Sequence, residues 1–269
     1  MIRLLLLLLL TSPAFAADIT LAGKIEQGGL LIGTAPPGSK VAFAKHEIPV
    51  GPDGRFIVGI DRDAGEAADL IVTGPDGARE VKKITIAKRD WQIDRVDGLQ
   101  QELVTPDPEL LKKILAENKF WAAARKQVEL TPGFASGFII PTEGRLSGHF
   151  GRQRILNGEP RAPHSGMDIA AKTGTPVHAA ADGIISMKKD MLIMTGNSVM
   201  INHGYGLQTF YIHLSKINVA DGQHVKQGDV IGEVGMTGRA TGPHLHFGAT
   251  WVDQRRDPET VLAVLPAKN

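Results

Sequence analysis

Short β-strand patterns separated by turns recur along most of this chain of 269 residues, and they restrict it to a mostly β fold. In residues 17–99, apolar or β-branched stretches are interrupted by Ala-Pro-Pro-Gly and by two copies of Gly-Pro-Asp-Gly. Asp-Gly after Gly-Pro is a strong turn signal. We therefore predict that residues 17–99 form a small antiparallel β-sandwich-like module. Its predicted strands are residues 18–21, 41–44, 55–60, 69–72 and 81–86.

Residues 100–137 have a helical pattern that separates this module from the C-terminal half. Asp107 and Pro108 are residue types preferred at an N-cap and at the first helical position. Apolar residues then recur at helical spacing up to about Val128; they are Leu111, Ile114, Leu115 and Ala122. We predict a helical linker that packs between two β domains, with a helix that docks another protein as the alternative.

Residues 138–269 return to a β pattern that is rich in glycine. The strand candidates are residues 175–179, 183–187, 198–202, 207–213, 230–235 and 244–250. Turn sequences of the Asp-Gly and Gly-Asp type lie between or beside them. This pattern predicts a C-terminal antiparallel β domain.

The composition excludes several kinds of chemistry. The chain has no cysteine, which rules out disulfides, cysteine-ligated zinc, iron–sulfur clusters and thiol nucleophiles. It has 30 Lys and Arg against 29 Asp and Glu, so no overall positive field favours nucleic acid, and we expect no nucleic-acid partner. Nine histidines and the carboxylates remain as groups that could support catalysis.

The first 16 residues have the pattern of a signal peptide. Arg3 precedes seven consecutive leucines, and Ala14-Phe15-Ala16 offers a small-x-small cleavage sequence. The apolar run is far shorter than the roughly 20 residues that a transmembrane helix needs. No cysteine follows it to carry a lipid. We therefore expect cleavage near Ala16 and a periplasmic or secreted protein with no stable membrane anchor.

Two strand candidates in the C-terminal half carry histidines at alternate positions. His244 and His246 in the sequence GPHLHF are two residues apart, so in a strand they share one face. Tyr211 and His213 have the same relation in the sequence YIHLS. A strand with two histidines on one face is also common at protein surfaces, so this spacing alone leaves both interpretations open.

A third segment, PHSGMD, supplies an imidazole and a carboxylate. His164 and Asp168 flank a Ser-Gly-Met bend, from which both side chains could converge. Histidines and an aspartate together form a nitrogen and oxygen set that suits zinc, and three such ligands leave a fourth position for water. Spacing alone does not bring residues 164 and 246 together, so a structural role for any single histidine stays open.

The order of these motifs in a glycine-rich β domain resembles the lysostaphin- and LytM-type zinc metallopeptidases, which cut peptidoglycan peptides. The resemblance covers residues 148–258. It includes GHFG at 148–151, GMDIAA at 166–171, GTPV at 174–177, NHG at 202–204, VKQG at 225–228 and GMTG at 235–238. No family resemblance extends to residues 17–99. Residues 138–269 are accordingly expected to form a metallopeptidase domain.

The resemblance implies a role for five residues. His164, Asp168 and His246 would bind one zinc ion per chain. His244 would be the general base for a metal-activated water. His213 would form a hydrogen bond to water or to the developing oxyanion. Members that activate other hydrolases instead of cutting typically lack ligands, whereas all five positions are filled here.

The implied activity is that of an exported zinc metalloendopeptidase, which hydrolyses amide bonds in peptidoglycan cross-links. The alternative is a noncatalytic LytM-like regulator that binds cell wall or activates an amidase. The bond that is cut, the oligomeric state and any regulatory partner stay open. Residues 17–99 are expected to occlude or position the groove.

Substrate contacts are predicted around the basic stretch 152–161, where Arg152 and Asn157 could form a rim of the groove. Tyr211 could line the site beside His213. A solvated loop for the stretch and core packing for the tyrosine are the alternatives. The remaining histidines, which are expected to be structural or at the surface, are His46, His149, His178, His203 and His224.

Overall fold

The computed structural model describes residues 19–127 and 129–267. The predicted leader, residues 1–16, and the predicted helix end near Val128 lie outside the described residues. The described part is mostly β, which confirms the predicted fold class. No helix within it is both long enough and apolar enough to cross a membrane.

The N-terminal part forms two antiparallel sheets. The strands are β1 (Thr20–Ala22), β2 (Leu30–Thr34), β3 (Lys40–Phe43), β4 (His46–Ile48), β5 (Arg55–Gly59), β6 (Ala67–Thr73) and β7 (Arg79–Thr85). One sheet has the order β1-β2-β5 and the other β4-β3-β6-β7. Both contribute buried apolar side chains to one core, as a sandwich-like module requires.

The next strand connects the two halves of the chain. β8 (Ile93–Val96) lies in the predicted N-terminal module but pairs in parallel with a strand of the C-terminal half. The strands that follow are β9 (Arg145–Gly148), β10 (Gln153–Leu156) and β11 (Glu159–Arg161). Their sheet has the order β11-β10-β8. A segment before the helical region therefore contributes to the C-terminal structure.

The helices between the halves are α1 (Gln101–Val104) and α2 (Pro108–Arg125), followed by a 3-10 turn at Gly133–Ser136. As predicted, Asp107 caps α2 by accepting a hydrogen bond from the Leu110 amide, and Pro108 is its first residue. The part of this segment that reaches both halves is the 3-10 turn, where the Phe134 ring lies 5.0 Å from the Tyr205 ring and 5.7 Å from the Arg55 guanidinium. α2 lies on a large C-terminal sheet, where the Trp121 ring contacts Phe210 edge-on, while Leu111 is 44% exposed.

The halves also contact each other directly. A Cβ on Gly51 would lie 1.9 Å from the Tyr205 hydroxyl, and one on Gly59 would lie 2.8 Å from the Trp251 ring. Two ion pairs of 2.7 Å add to this interface, Arg256 with Asp61 and Arg89 with Asp257. The N-terminal module is therefore packed against the C-terminal half through backbone positions that admit no side chain.

The C-terminal half is built on an eight-stranded sheet. The strands still to be named are β12 (Met167–Ala170), β13 (Pro176–His178), β14 (Gly183–Leu192), β15 (Gly196–Asn202), β16 (Leu207–Leu214), β17 (Lys216–Ile217), β18 (His224–Val225), β19 (Val230–Glu233), β20 (His244–Trp251) and β21 (Gln254–Arg256). The order is β18-β14-β15-β16-β20-β12-β9, and β21 pairs with β20. A smaller sheet has the order β13-β19-β17, and α3 (Pro258–Val264) follows.

The two faces of the large sheet have different neighbours. Tyr211 and Phe247 point into the main core that is shared with the N-terminal module. On the opposite face, Phe210 and Ile212 pack in a second apolar cluster with Trp121 of α2. Because side chains alternate along a strand, His246 shares this second face. The candidate site therefore lies on the same side of the sheet as α2.

Candidate active site

His164, Asp168 and His246 come together at the junction of β12 and β20. Asp168 is paired with His246 in the antiparallel register of these strands. Asp168 Oδ1 lies 2.7 Å from His246 Nδ1 and 3.1 Å from His164 Nε2, and the two imidazole nitrogens are 3.0 Å apart. Residues 82 positions apart in the chain thus present three potential ligand atoms to one point.

The donor chemistry of this cluster fits a metal ion. His164 Nδ1 donates its proton to the His149 carbonyl at 2.8 Å, so in the neutral ring Nε2 presents a lone pair to the cluster. The other two atoms are a carboxylate oxygen and a His246 nitrogen, and only that nitrogen can carry a proton. Three converging lone-pair atoms with at most one proton between them are suited to hold a cation.

Charge and burial set the protonation states here. Burial would raise the pKa of Asp168, but its contacts with the His164 and His246 imidazoles outweigh this effect and hold that pKa well below its ordinary value. Burial lowers the pKa of His246 to about 3. The second carboxylate oxygen, Asp168 Oδ2, accepts a hydrogen bond from Arg154 Nη2 at 3.1 Å. The carboxylate is therefore ionised and held on both oxygens.

Two more imidazoles lie beside the cluster. The His213 and His244 rings have centroids 4.9 Å apart, and His244 Nε2 is 3.8 Å from Asp168 Oδ1. Each ring donates its Nδ1 proton to a backbone carbonyl, Thr237 at 2.7 Å for His213 and Gly242 at 2.8 Å for His244. Their Nε2 atoms are thus hydrogen-bond acceptors whenever the rings are neutral. For His213 burial favours this state, because it lowers the pKa to about 4.

His213 reaches the site through an irregular backbone, not through strand alternation. Strict alternation would place it on the same face as Tyr211, as the sequence predicts. Its φ is 66°, a left-handed conformation that is uncommon for a residue other than glycine. This turn directs the ring to His244, whereas Tyr211 stays in the core. A non-glycine residue in this region is a form of strain often found at functional sites.

A groove of about 300 Å³ opens beside these residues. Val96 and Leu99 form part of its wall, so the segment after β8 contributes to it. Its remaining lining residues are Ser147, Arg154, Leu156, Asp168, Ala170, His213, Arg239, Ala240, Thr241, Gly242, Pro243, His244 and His246. Four of the five predicted site residues line this groove, and the fifth, His164, lies beneath them, 2% exposed.

The three predicted substrate contacts do not line the groove. Tyr211 is fully buried, and its hydroxyl accepts a hydrogen bond from the Ala180 amide on the core side of the sheet. Arg152 pairs with Asp94 at 3.0 Å, and Asn157 donates to the Leu99 carbonyl at 2.8 Å. These two residues join the C-terminal half to the segment around β8. They act as structural contacts because their polar atoms already have partners within the chain.

Two arginines line the groove instead. Arg154 belongs to the basic stretch that the sequence predicts as a rim of the groove. Arg239 was missed, although it lies only five positions before His244 in the sequence TGRATGPHLHF. Their place beside the site depends on contacts between distant segments, which sequence spacing does not reveal.

The other histidines have structural or surface positions. His203 is fully buried and forms hydrogen bonds with the Asp182 carbonyl and Thr209. His149 pairs with Glu259 at 2.8 Å, and His178 donates to the Gly228 carbonyl. The exposed ones are His46 and His224.

Comparison with known proteins gives a consistent family. The model of peptidase family M23 matches residues 162–258. The chain is 48% identical over 103 residues to DD-carboxypeptidase/endopeptidase Mpg of Neisseria meningitidis, which covers 38% of this chain and 24% of that protein. It is 44% identical over 111 residues to peptidoglycan DD-endopeptidase ShyA of Vibrio cholerae, covering 41% of this chain and 26% of that protein. The chain spans about a quarter of the length of these curated relatives.

One solved structure is similar over most of the chain. It is a Pseudomonas aeruginosa protein assigned to peptidase M23, with a TM-score of 0.70 and 28% sequence identity. The similarity covers 91% of this chain and 97% of that one. The likeness therefore includes both the N-terminal module and the C-terminal half.

Proposed function

Residues 162–258 belong to peptidase family M23, and on that premise we propose that the protein is a zinc endopeptidase that hydrolyses amide bonds in peptidoglycan cross-links. The observation that carries this proposal is the convergence of His164, Asp168 and His246 beside two further imidazoles with free acceptor nitrogens. The relatives named as peptidoglycan DD-endopeptidases support the choice of substrate.

We assign the metal site to His164 Nε2, Asp168 Oδ1 and His246 Nδ1, with one ion per chain. Zinc is the metal that best suits two imidazoles and one carboxylate with an open position. When bound, it would supply a Lewis acid for water and for the substrate carbonyl. Arg154 and the His149 carbonyl orient two of the three ligands, as outer partners commonly do in metal sites.

His244 is the general base in this proposal. Its Nδ1 proton is held by the Gly242 carbonyl, so Nε2 is free to accept a proton from the attacking water. The same nitrogen can then return that proton to the leaving amine. A positioned base of this kind contributes about 10²- to 10⁴-fold to the rate.

His213 would accept a hydrogen bond from the water. Of the two roles expected for it, this one agrees with its hydrogen bonding, because Nδ1 donates to Thr237 and the neutral Nε2 has no proton to give. Its lowered pKa, about 4 as a result of burial, keeps the ring neutral near pH 7. Stabilising the oxyanion would require a donor that this tautomer does not offer.

The test is mass spectrometry of peptidoglycan sacculi digested with the purified full chain. We expect products whose masses correspond to cleavage within the peptide cross-links, and we expect a chelator to abolish them and added zinc to restore them. His246→Ala is the matched inactive control. Intact muropeptides after zinc addition, from a folded protein, would contradict the enzyme and favour the noncatalytic regulator.

We also propose that the protein is exported, with cleavage near Ala16 and a periplasmic or secreted location. The support is the sequence of residues 1–16, which has a charged start, an apolar run and a small-x-small end. Mass spectrometry of the protein recovered from the envelope fraction should give an N-terminus near Ala17. Recovery of the full-length chain in the cytosol alone would contradict this.

A further inference from the structure

Arg239 is a half-buried cation in the groove with an incomplete set of partners. Its Nη1 donates to the Leu103 carbonyl at 3.1 Å. Within residues 19–127 and 129–267, no carboxylate lies within ion-pair distance of it. Burial and the nearby charges of Arg154 and Arg161 lower its pKa to about 10, which leaves it charged near pH 7. A partly desolvated charge without a counter-ion is costly, so an anion that enters the groove would gain free energy by pairing with it.

Arg154 lies in the same groove and also has donor capacity to spare. Its Nη2 bonds Asp168 Oδ2 at 3.1 Å, and within residues 19–127 and 129–267 its Nη1 makes no hydrogen bond. The neighbouring Arg161 is already occupied, because it donates to the Val104 carbonyl and to Thr105. Of the three arginines, Arg154 and Arg239 therefore still have N–H groups that can donate to an anionic partner.

The charged residues that line the groove also favour an anionic ligand. Among the residues that the structure describes, its lining includes Arg154 and Arg239 but only one carboxylate, that of Asp168. This carboxylate already faces His164, His246 and Arg154. The groove thus has an excess of positive charge next to the reacting centre. Guanidinium groups bind planar carboxylates with two parallel hydrogen bonds, which adds both affinity and orientation.

We propose that Arg239, with Arg154 beside it, forms a carboxylate subsite that binds a free carboxylate of the substrate peptide next to the scissile amide. This rests on the proposed peptidase function only in taking a peptide as the substrate. The carboxylate can be the C-terminus of the peptide or a side-chain carboxylate of a diamino acid in the cross-link. The subsite makes Arg239 a specificity residue that distinguishes acidic peptides from amidated ones.

The kinetic test compares three cross-linked muropeptide dimers. One has both carboxylates free, one has the C-terminal carboxylate amidated, and one has the diamino acid carboxylate amidated. For the wild type, amidation of one of the two should lower kcat/KM about 10- to 100-fold, the value of one hydrogen bond to a charged group. The amidated dimer that shows the lower kcat/KM identifies which of the two carboxylates binds at the subsite.

Arg239→Gln should lose the same factor on the free substrate and show no further loss on amidation. Arg239→Lys should retain part of the preference, because it keeps the charge but not the paired geometry. Arg79→Gln, at an exposed position of β7 in the N-terminal module, is the control for net charge and should behave as the wild type. Equal rates of the wild type on all three dimers, or equal loss for Arg239→Gln on all three, would overturn the subsite.

A binding measurement separates this proposal from the proposed function. Calorimetry is performed with a tripeptide that ends in a free carboxylate and carries the diamino acid, and with its two amidated analogues. The wild type should bind the free peptide about 10- to 100-fold more tightly than one analogue, and Arg239→Gln should bind all three alike. A protein that cleaves nothing but shows this preference would refute the peptidase and keep the subsite. A protein that cleaves cross-links but binds all three peptides alike would support the peptidase and refute the subsite.

Discussion

Asp168 and His246 face each other across the β12–β20 ladder, with Asp168 Oδ1 2.7 Å from His246 Nδ1. Antiparallel register fixes this pair, because opposed residues on adjacent strands point to the same face of the sheet. His164 then joins from the loop before β12, 3.1 Å from the same oxygen. Two of the three proposed ligands are thus placed by sheet geometry, and the third by the loop that enters it.

Because His246 belongs to the three-atom cluster and His244 lies beside it, we expect their alanine variants to differ in metal content. His246→Ala removes an atom of the cluster, so the variant should lose both bound zinc and activity. His244→Ala leaves the three atoms in place, so it should keep its metal while turnover falls about 10²- to 10⁴-fold. Metal content by mass spectrometry and rates on muropeptides measure both effects. A His244→Ala variant that cleaves at the wild-type rate would refute the base assignment.

Gly148 predicts a way to weaken the cluster without removing a ligand. A Cβ at this position would lie 2.6 Å from Asp168 Oδ2, the oxygen that Arg154 holds. Gly148→Ala should therefore displace the carboxylate and lower zinc affinity about 10- to 100-fold, as loss of an outer partner does. Competition with a zinc chelator gives the affinity.

The matched control for this change is Gly65→Ala, where an added Cβ meets no atom within 4 Å. This variant should bind zinc as the wild type does. If Gly148→Ala and the control have equal affinities, the close approach of β9 to Asp168 has no role in metal binding.

Buried His203 predicts a loss of stability in mild acid. Burial lowers its pKa to about 4, while the unfolded chain keeps the ordinary value of 6.5. Between these values the unfolded state binds the extra proton, so the free energy of unfolding falls as pH drops from 6.5 to 4, by roughly 3 kcal/mol in total. His203→Gln should reduce the slope of the unfolding free energy against pH in this range. The reduction should correspond to about one proton fewer taken up on unfolding.

Urea unfolding of the apo-protein across this pH range measures the slope, with chelator present so that metal binding does not contribute. His46→Gln replaces an exposed imidazole and should leave the slope unchanged. The His203 interpretation fails if its variant and the wild type have the same pH dependence. His213 would contribute to the remaining slope, because burial also lowers its pKa to about 4.

Trp91 predicts that the N-terminal module supports the metal site. The guanidinium groups of Arg62 and Arg89 lie over its ring, 5.0 and 4.4 Å from the centroid, and the ring contacts Phe150 edge-on. Phe150 belongs to the loop in which the His149 carbonyl accepts the Nδ1 proton of His164. Trp91→Ala should loosen this loop and lower zinc affinity, about 10-fold or more by analogy with other outer-shell changes.

Trp91→Phe keeps an aromatic ring in this position and is the matched control, with an affinity expected near that of the wild type. Zinc affinity and the free energy of unfolding are measured together. If Trp91→Ala lowers only the unfolding free energy and not zinc affinity, the module is a stabilising neighbour and not a support for the site.

Much of the fold follows from local pattern. The predicted strands at residues 55–60, 69–72, 198–202, 207–213 and 244–250 all lie within one or two residues of β5, β6, β15, β16 and β20. β2 was missed, because its sequence LLIGT lacks a polar and apolar alternation and is buried on both sides. β8 was missed because its partner residues in β10 lie 60 positions away in the chain.

The sequence by itself determined which residue types could form the site and that His244 and His246 share a face, because strand alternation is a local property. The tertiary structure decided what depends on distant contacts. The left-handed backbone at His213 separates it from Tyr211. The approach of residues 96–104 to the groove gives Arg239 a carbonyl partner, and no carboxylate of the described part of the chain pairs with it. Alternation is set by neighbours in the chain, whereas burial, counter-ions and the closing of a groove are set by segments that meet only when the chain is folded.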